Sequence, residues 1–251
     1  MKSAIRNILF AKTRNPLSPI DPFLNDIVLY LKGDGANDGT VFTDSSQYNH
    51  AISRYGNGNS IVTSTTQSKY GGSSLYSPTN TDETALSITN SSVFNIGTKD
   101  YTIEFWYYKT SSVFSNGLTE IFTLDGLDYP LTVYDGESFF FSRPSLYTTS
   151  NNDAWISNVL STNTAISLNQ WNHVCFCRKA GFLRGFLNGN LSQSVADTSF
   201  VASGINSPSL MGSREAQGFY GSMIGYIDNF RFTMAGRYDG SFNAETDTFM
   251  S

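Results

Sequence analysis

An antiparallel all-β sandwich is the fold the sequence predicts, and three observations carry that prediction. Short apolar–polar alternations recur, as in "YTIEFWYYKT", where Ile103, Phe105 and Tyr107 share one face and Thr102, Glu104, Trp106 and Tyr108 the other. Turn-forming stretches rich in Gly, Ser, Thr and Asn separate these runs, and Gly alone supplies 21 residues. No long amphipathic helical pattern interrupts the series. A chain of 251 residues suits one large all-β unit and can bury a sizeable core without disulfide staples.

Residues 1–25 read as an arm rather than as part of the sandwich. In "SAIRNILFAKT", Ile5, Ile8, Leu9 and Lys12 recur at helical spacing behind Ser3, and Pro16, Pro19 and Pro22 then impose an extended linker. The arm holds Lys2, Arg6, Lys12 and Arg14 and no acid; the chain is −5 overall, so −9 falls on the remainder. Ile5, Arg6, Ile8, Leu9 and Phe10 are its partner-docking residues, joining apolar insertion to electrostatic docking on an acidic neighbour. The competing reading is a frayed, solvated terminus.

The predicted domain occupies residues 26–251. "DIVLYLKGDG" is a buried strand that ends in the turn Gly33–Asp34–Gly35, and "ETALSIT" alternates Leu86 with Ile88. In "QWNHVCFCRK", Val174 and Phe176 face one way and His173, Cys175 and Cys177 the other. Two cysteines so placed on one strand suit a mutual disulfide badly and read as small buried residues. Asn188–Gly189 is a tight-turn pair between two strands. The last strand, "GYIDNFRFTM", breaks its own rhythm: Ile227, Phe230 and Phe232 should all face inward, yet Ile227 and Phe230 are three apart. An extra residue at Asp228–Asn229, a β-bulge, reconciles them.

Composition and motifs exclude several function classes. Charged residues are 15% of the chain against a usual quarter, and the net charge is negative, which argues against general nucleic-acid binding. No stretch approaches the ~18 apolar residues of a membrane-spanning helix, and the N-terminus lacks the apolar core of a usual signal peptide. The two histidines, His50 and His173, lack zinc-ligand spacing to the cysteines. Glycoside hydrolysis needs two facing carboxylates, and the "YTIEFW" strand offers only Glu104. No nucleophile elbow and no phosphate-cradling glycine loop is present. Tyr129, Tyr134, Tyr147 and Trp155 lie in polar stretches that could meet a glycan, seal the sandwich ends or form a protein contact, and no motif marks a sugar site.

Five blocks in order carry a family resemblance: "LYLKGDGANDGTVFTDSS" (29–46), "STTQSKYGGSSLY" (64–76), "FNIGTKDYTIEFWYY" (94–108), "QWNHVCFCRKAGFLRGFLNG" (170–189) and "GSMIGYIDNFRFTMAGRYDGSF" (221–242). The chain resembles the laminin-G-like, concanavalin A-like lectin family, in the form met in bacteriophage virion proteins; the ending "RFTMAGRYDGSF" resembles the phage form in particular. The resemblance implies a two-sheet jelly-roll sandwich with one curved face. Trp106 and Glu104 would lie toward that face or under a neighbouring loop. It also implies a structural calcium held by Asp34 and Asp228, with Asp44 and Asn49 as weaker ligands, because calcium takes six to eight oxygens. The competing role for Asp228 is to cap the bulge through backbone N–H groups.

The function so read is a non-enzymatic virion structural protein, a capsid decoration or a tail component, made in the host cytoplasm. Its arm would attach it to other virion proteins, with homo-oligomers common among such proteins. A lectin adsorbing to host-surface glycans is the alternative, and a polysaccharide-degrading enzyme ranks last. The fold alone does not choose between them.

Overall fold

The computed structural model describes residues 20–56, 60–78, 84–111, 119–124, 131–135, 139–142, 160–161, 166–198, 207–212, 221–246 and 248. Among the described residues, sixteen strands form two sheets. The first sheet runs, in spatial order, β13 (Asn190–Ala196), β12 (Phe182–Leu187), β11 (Trp171–Lys179), β6 (Tyr101–Lys109), β16 (Gly225–Thr233), β4 (Ser74–Ser77) and β3 (Val62–Ser64). β1 (Ile27–Leu31) pairs with the C-terminal half of β16, beyond the stretch that β4 occupies. The second sheet runs β10 (Leu160–Ser161), β9 (Phe139–Ser142), β8 (Thr132–Asp135), β7 (Thr119–Thr123), β14 (Ser209–Leu210), β5 (Ala85–Ile88) and β2 (Ile52–Tyr55), and β15 (Gly221–Ser222) joins β7 as a parallel pair. Two single-turn 3-10 helices, Leu24–Asp26 and Ser92–Phe94, are the helical elements among the described residues, and no described helix is long and apolar enough to cross a membrane.

The expected alternation governs the core. Ile103 and Phe105 of β6, Val174 and Phe176 of β11, and Ile227, Phe230 and Phe232 of β16 are fully buried between the sheets, where they meet Ile121 and Phe122 of β7 and Leu86 and Ile88 of β5. Phe230 stacks on Phe105 with centroids 5.9 Å apart and tilts against Phe122 at 5.0 Å. The bulge is where the sequence predicts it. The register of β16 against β6 shifts between Asp228 and Arg231, and Asn229 takes a left-handed φ of 50°. Asn tolerates that conformation better than most residues, and its Oδ1 accepts a hydrogen bond from Tyr30 Oη at 2.8 Å.

The outer face of the first sheet is also buried. Glu104, His173, Cys175, Cys177 and Arg231 project there and lie beneath a segment that runs on from β16 through Arg237, Tyr238, Phe242 and Thr248. Of the two placements considered for Glu104 and Trp106, burial under a neighbouring segment is the one adopted. Residues of the supposed arm take part: Asp21 pairs with Arg231 and Arg237, and Phe23 lies under the Arg237 guanidinium at 5.0 Å. In its contacts, therefore, the sandwich begins before residue 26. Ile5, Arg6, Ile8, Leu9 and Phe10 lie outside the described residues.

Candidate functional site

Beneath that segment sits an ion network. Glu104 Oε1 accepts from Arg231 Nη2 at 2.6 Å and Nε at 3.1 Å, while Glu104 Oε2 accepts from Tyr238 Oη at 3.0 Å. Asp21 receives a two-pronged contact from Arg237, Nη2 to Oδ2 at 2.6 Å and Nη1 to Oδ1 at 3.0 Å. Arg231 Nη2 also donates to the Thr248 carbonyl at 2.5 Å. His173 Nε2 lies 3.4 Å from Glu104 Oε2. Burial opposes ionisation of Glu104, but Arg231 first, then His173 and Arg237, hold its carboxyl well below the usual range. A carboxylate so paired is a poor general acid, and it is sealed from solvent.

One end of the same segment frames an open cleft of about 600 Å³, lined by Trp106, Gln170, Trp171, Asn188, Phe242, Asn243, Ala244 and Glu245. Four parts of the chain build it. Trp106 comes from the outer face of β6. Gln170 and Trp171 come from the start of β11, where Trp171 packs edge-on against Tyr108 at 5.5 Å. Asn188 comes from the β12–β13 turn, with φ of 51° at Asn188 and 77° at Gly189, as a tight two-residue hairpin requires. The last wall is the C-terminal segment. Gly189 permits its approach, since a Cβ there would stand 2.1 Å from the Phe242 carbonyl, and Phe242 N donates to the Gly189 carbonyl at 2.9 Å.

The walls are braced from behind. Phe242 stacks on Tyr238 with centroids 3.7 Å apart and meets Phe186 at 5.3 Å, and Trp106 contacts His173 edge-on at 5.1 Å. Lys69 Nζ lies 4.0 Å over the Trp106 ring and 2.6 Å from Glu245 Oε1, and Tyr70 Oη donates to Glu245 Oε2 at 3.1 Å. Trp106 is 97% buried, yet its indole N–H has no partner among the described residues. A buried donor left unpaired is costly unless something outside the chain accepts from it.

A second polar site joins the expected pair Asp34 and Asp228. Both meet the loop around residues 68–72: Asp228 Oδ2 accepts from Lys69 N at 2.7 Å and Tyr70 N at 3.0 Å, and a Cβ on Gly71 would fall 2.1 Å from Asp34 Oδ1. Burial pushes the Asp228 carboxyl up to about 6; the two N–H bonds oppose the rise and the Asp34 carboxylate adds to it. Asp228 Oδ1 is buried without a partner. Both carboxylates border one loop, and the orphaned Asp228 Oδ1 fits an oxygen donor to a hard cation that also draws on backbone carbonyls. Among the described residues no group of three or more His, Cys, Asp or Glu surrounds a metal position. Asp44, a weaker calcium ligand by resemblance, is committed elsewhere: its carboxylate accepts from Tyr30 N, Ser46 N, Ser46 Oγ and His50 N.

Cys175 and Cys177 are free and buried, as expected, and burial pushes both thiols up. Tyr129, Tyr147 and Trp155 lie outside the described residues. Sequence reasoning missed the cleft. Trp106 and the Asn188–Gly189 turn were visible in it, but Trp171 and the Phe242–Glu245 stretch carry no mark of a site.

The sequence profile of the concanavalin A-like lectin/glucanases superfamily matches residues 79–234. No curated protein sequence matches the chain. Among solved structures, domain 4 of AbnA, a GH43 extracellular arabinanase from Geobacillus stearothermophilus solved with arabinotriose, superposes with a TM-score of 0.59 at 14% identity, covering 90% of this chain and 98% of that one. The botulinum neurotoxin serotype G binding domain gives 0.58 at 14%, covering 89% and 50%. A structure of botulinum neurotoxin type C, whose cell entry is dependent upon interaction with two ganglioside molecules, gives 0.59 at 13%, covering 91% and 51%. The chain thus spans about half the length of these toxin structures. At such identities the likeness concerns the fold, and with the profile match over residues 79–234 it follows that the chain belongs to the concanavalin A-like lectin/glucanase superfamily.

Proposed function

We propose that the chain is a non-enzymatic carbohydrate-binding domain whose ligand occupies the cleft between Trp171 and the Phe242–Glu245 segment. The observation that carries this reading is the lining: the aromatic rings of Trp106, Trp171 and Phe242 beside the exposed amides of Gln170, Asn188 and Asn243. Sugars offer apolar ring faces to aromatic side chains and hydroxyls to amides and carboxylates, and such sites combine apolar walls with a few fixed polar groups. The solved neighbours bound to arabinotriose or tied to gangliosides agree with this reading by analogy. The sequestered Glu104 supports a non-catalytic role. The test is a glycan-array screen of the full chain, repeated with Trp171→Ala. Binding that falls about tenfold or more in the variant, with an unchanged melting curve, is expected. Silence on the array from folded protein overturns the reading.

The proposed setting is a phage particle, with residues 1–19 as the attachment arm to other virion proteins. Its support is the resemblance of "RFTMAGRYDGSF" and the basic arm beside an acidic domain. Arg237 and Tyr238 of that ending also close the buried network, so the fold itself has a use for them. Removing residues 1–19, which spares Asp21, should abolish incorporation into particles and leave the domain folded; normal incorporation sinks the attachment role.

Asp34 and Asp228 are proposed to hold a structural calcium, which would neutralise two adjacent carboxylates and tie β16 to the loop of residues 68–72. Calcium should then raise the melting temperature, because an ion bound by the native state alone stabilises it by mass action. Identical melting curves in calcium and in chelator would remove the site.

A further inference from the structure

We infer that the cleft takes an uncharged oligosaccharide, and that Glu245 with its partner Lys69 sets this preference. The inference rests on the cleft being a glycan site and goes on to the chemical class of the glycan. Among the described residues that line the cleft, Glu245 is the one with a charged side chain, and that side chain is 57% exposed. The nearest cation does not present itself to a ligand. Lys69 Nζ is held 2.6 Å from Glu245 Oε1 and lies over the Trp106 ring at 4.0 Å, so its charge is engaged by a carboxylate and by an aromatic face. Tyr70 Oη, 3.1 Å from Glu245 Oε2, fixes the other carboxylate oxygen.

A sialic acid, a uronic acid or a sulfated sugar would bring a second negative charge beside Glu245, whose partner cation Lys69 is already engaged. Like charges close together in a partly desolvated cleft repel strongly, and an unmatched charge is how a site rejects a competitor. A neutral sugar meets no such obstacle. Its hydroxyls can donate to the carboxylate's remaining lone pairs. Gln170, exposed at the rim, offers both a donor and an acceptor.

The test titrates the full chain with matched neutral and acidic oligosaccharides: arabinotriose, maltotriose and lactose against trigalacturonate and sialyllactose, alongside an array covering both classes. Neutral ligands should bind at least tenfold more tightly than their acidic counterparts, and added salt should narrow the gap. Glu245→Gln releases Lys69 and should raise affinity for acidic ligands about tenfold, while neutral ligands, which lose a carboxylate acceptor, should weaken, so that the gap between the classes closes. Lys69→Met should leave acidic ligands excluded. Acidic ligands binding as tightly as neutral ones, and lost in Trp171→Ala, would overturn the charge preference but leave the cleft as the glycan site. Acidic ligands lost in Lys69→Met would assign Lys69 as an anion receptor and likewise overturn it. No binding of either class by folded protein removes the glycan reading itself, and this inference with it.

Discussion

The two faces of the first sheet obey one alternation and reach burial by opposite means. On the inner face Ile103, Phe105, Val174, Phe176, Phe230 and Phe232 interlock with the second sheet through apolar contact alone. On the outer face Glu104, His173 and Arg231 are as thoroughly buried, but beneath the C-terminal segment and Asp21, and matched by charge. Apolar burial is non-directional and forgiving of small shifts. An ion network under a strap stands only while every partner is present. The outer face is thus the more specific of the two and the more fragile, and the open cleft lies at its margin.

Breaking the network should show this most sharply. Arg231→Ala leaves Glu104 buried and unpaired, so it should cost about 3–5 kcal/mol, comparable with emptying the core by Phe105→Ala. Urea unfolding measures both. The pair Glu104→Leu with Arg231→Met should lose less than the sum of the two single changes, because no charge is stranded. Phe105 offers no such rescue.

Asp228 gives the next effect, and its sign is unusual for a carboxylate. Its folded pKa of about 6 lies above the ordinary 3.8, so the native state holds the proton more tightly than the unfolded chain. Stability in metal-free protein should therefore fall as pH rises from about 4 to about 7, by up to roughly 3 kcal/mol. Asp228→Asn should flatten that slope, and calcium should flatten it too if it binds there. Melting temperatures taken across this pH range decide the matter; a slope unchanged in Asp228→Asn would assign it to other groups.

Smaller effects separate the faces further. Gly71→Ala puts a methyl group against Asp34 at a φ of 65° and should cost more than about 1 kcal/mol by thermal unfolding. Lys69→Met removes an ion pair whose acid is largely exposed, and should change stability by less than about 1 kcal/mol. Its consequence belongs to ligand choice and not to folding.

What the sequence discloses follows the same division. The bulge at Asp228–Asn229 was legible because two core side chains three apart cannot share a face without it, a constraint local to six residues. The strands around Ile103, Val174 and Phe230 announced themselves by period. The cleft did not, since Trp106, Trp171, Asn188 and Glu245 come from four separate segments and converge through tertiary packing alone. The cover over Glu104 was equally hidden: in the sequence "RYDGSFNAET" looks like any polar tail, and its buried partners lie as far away as Asp21. The family resemblance added the Asp34–Asp228 pairing, which no spacing could supply.

β16 lies between β6 on one side and β1 and β4 on the other, yet it is made after every strand it joins. On the ribosome the first sheet therefore stays in three pieces, β6 with β11 to β13, β4 with β3, and β1, until Thr233 has emerged, and one edge of β6 stays open until then. Pairings separated by some two hundred residues close slowly. Until that last strand inserts, the nascent chain exposes unpaired strand edges of the kind that aggregate, and the cleft, one wall of which is made later still, is completed after the sheet.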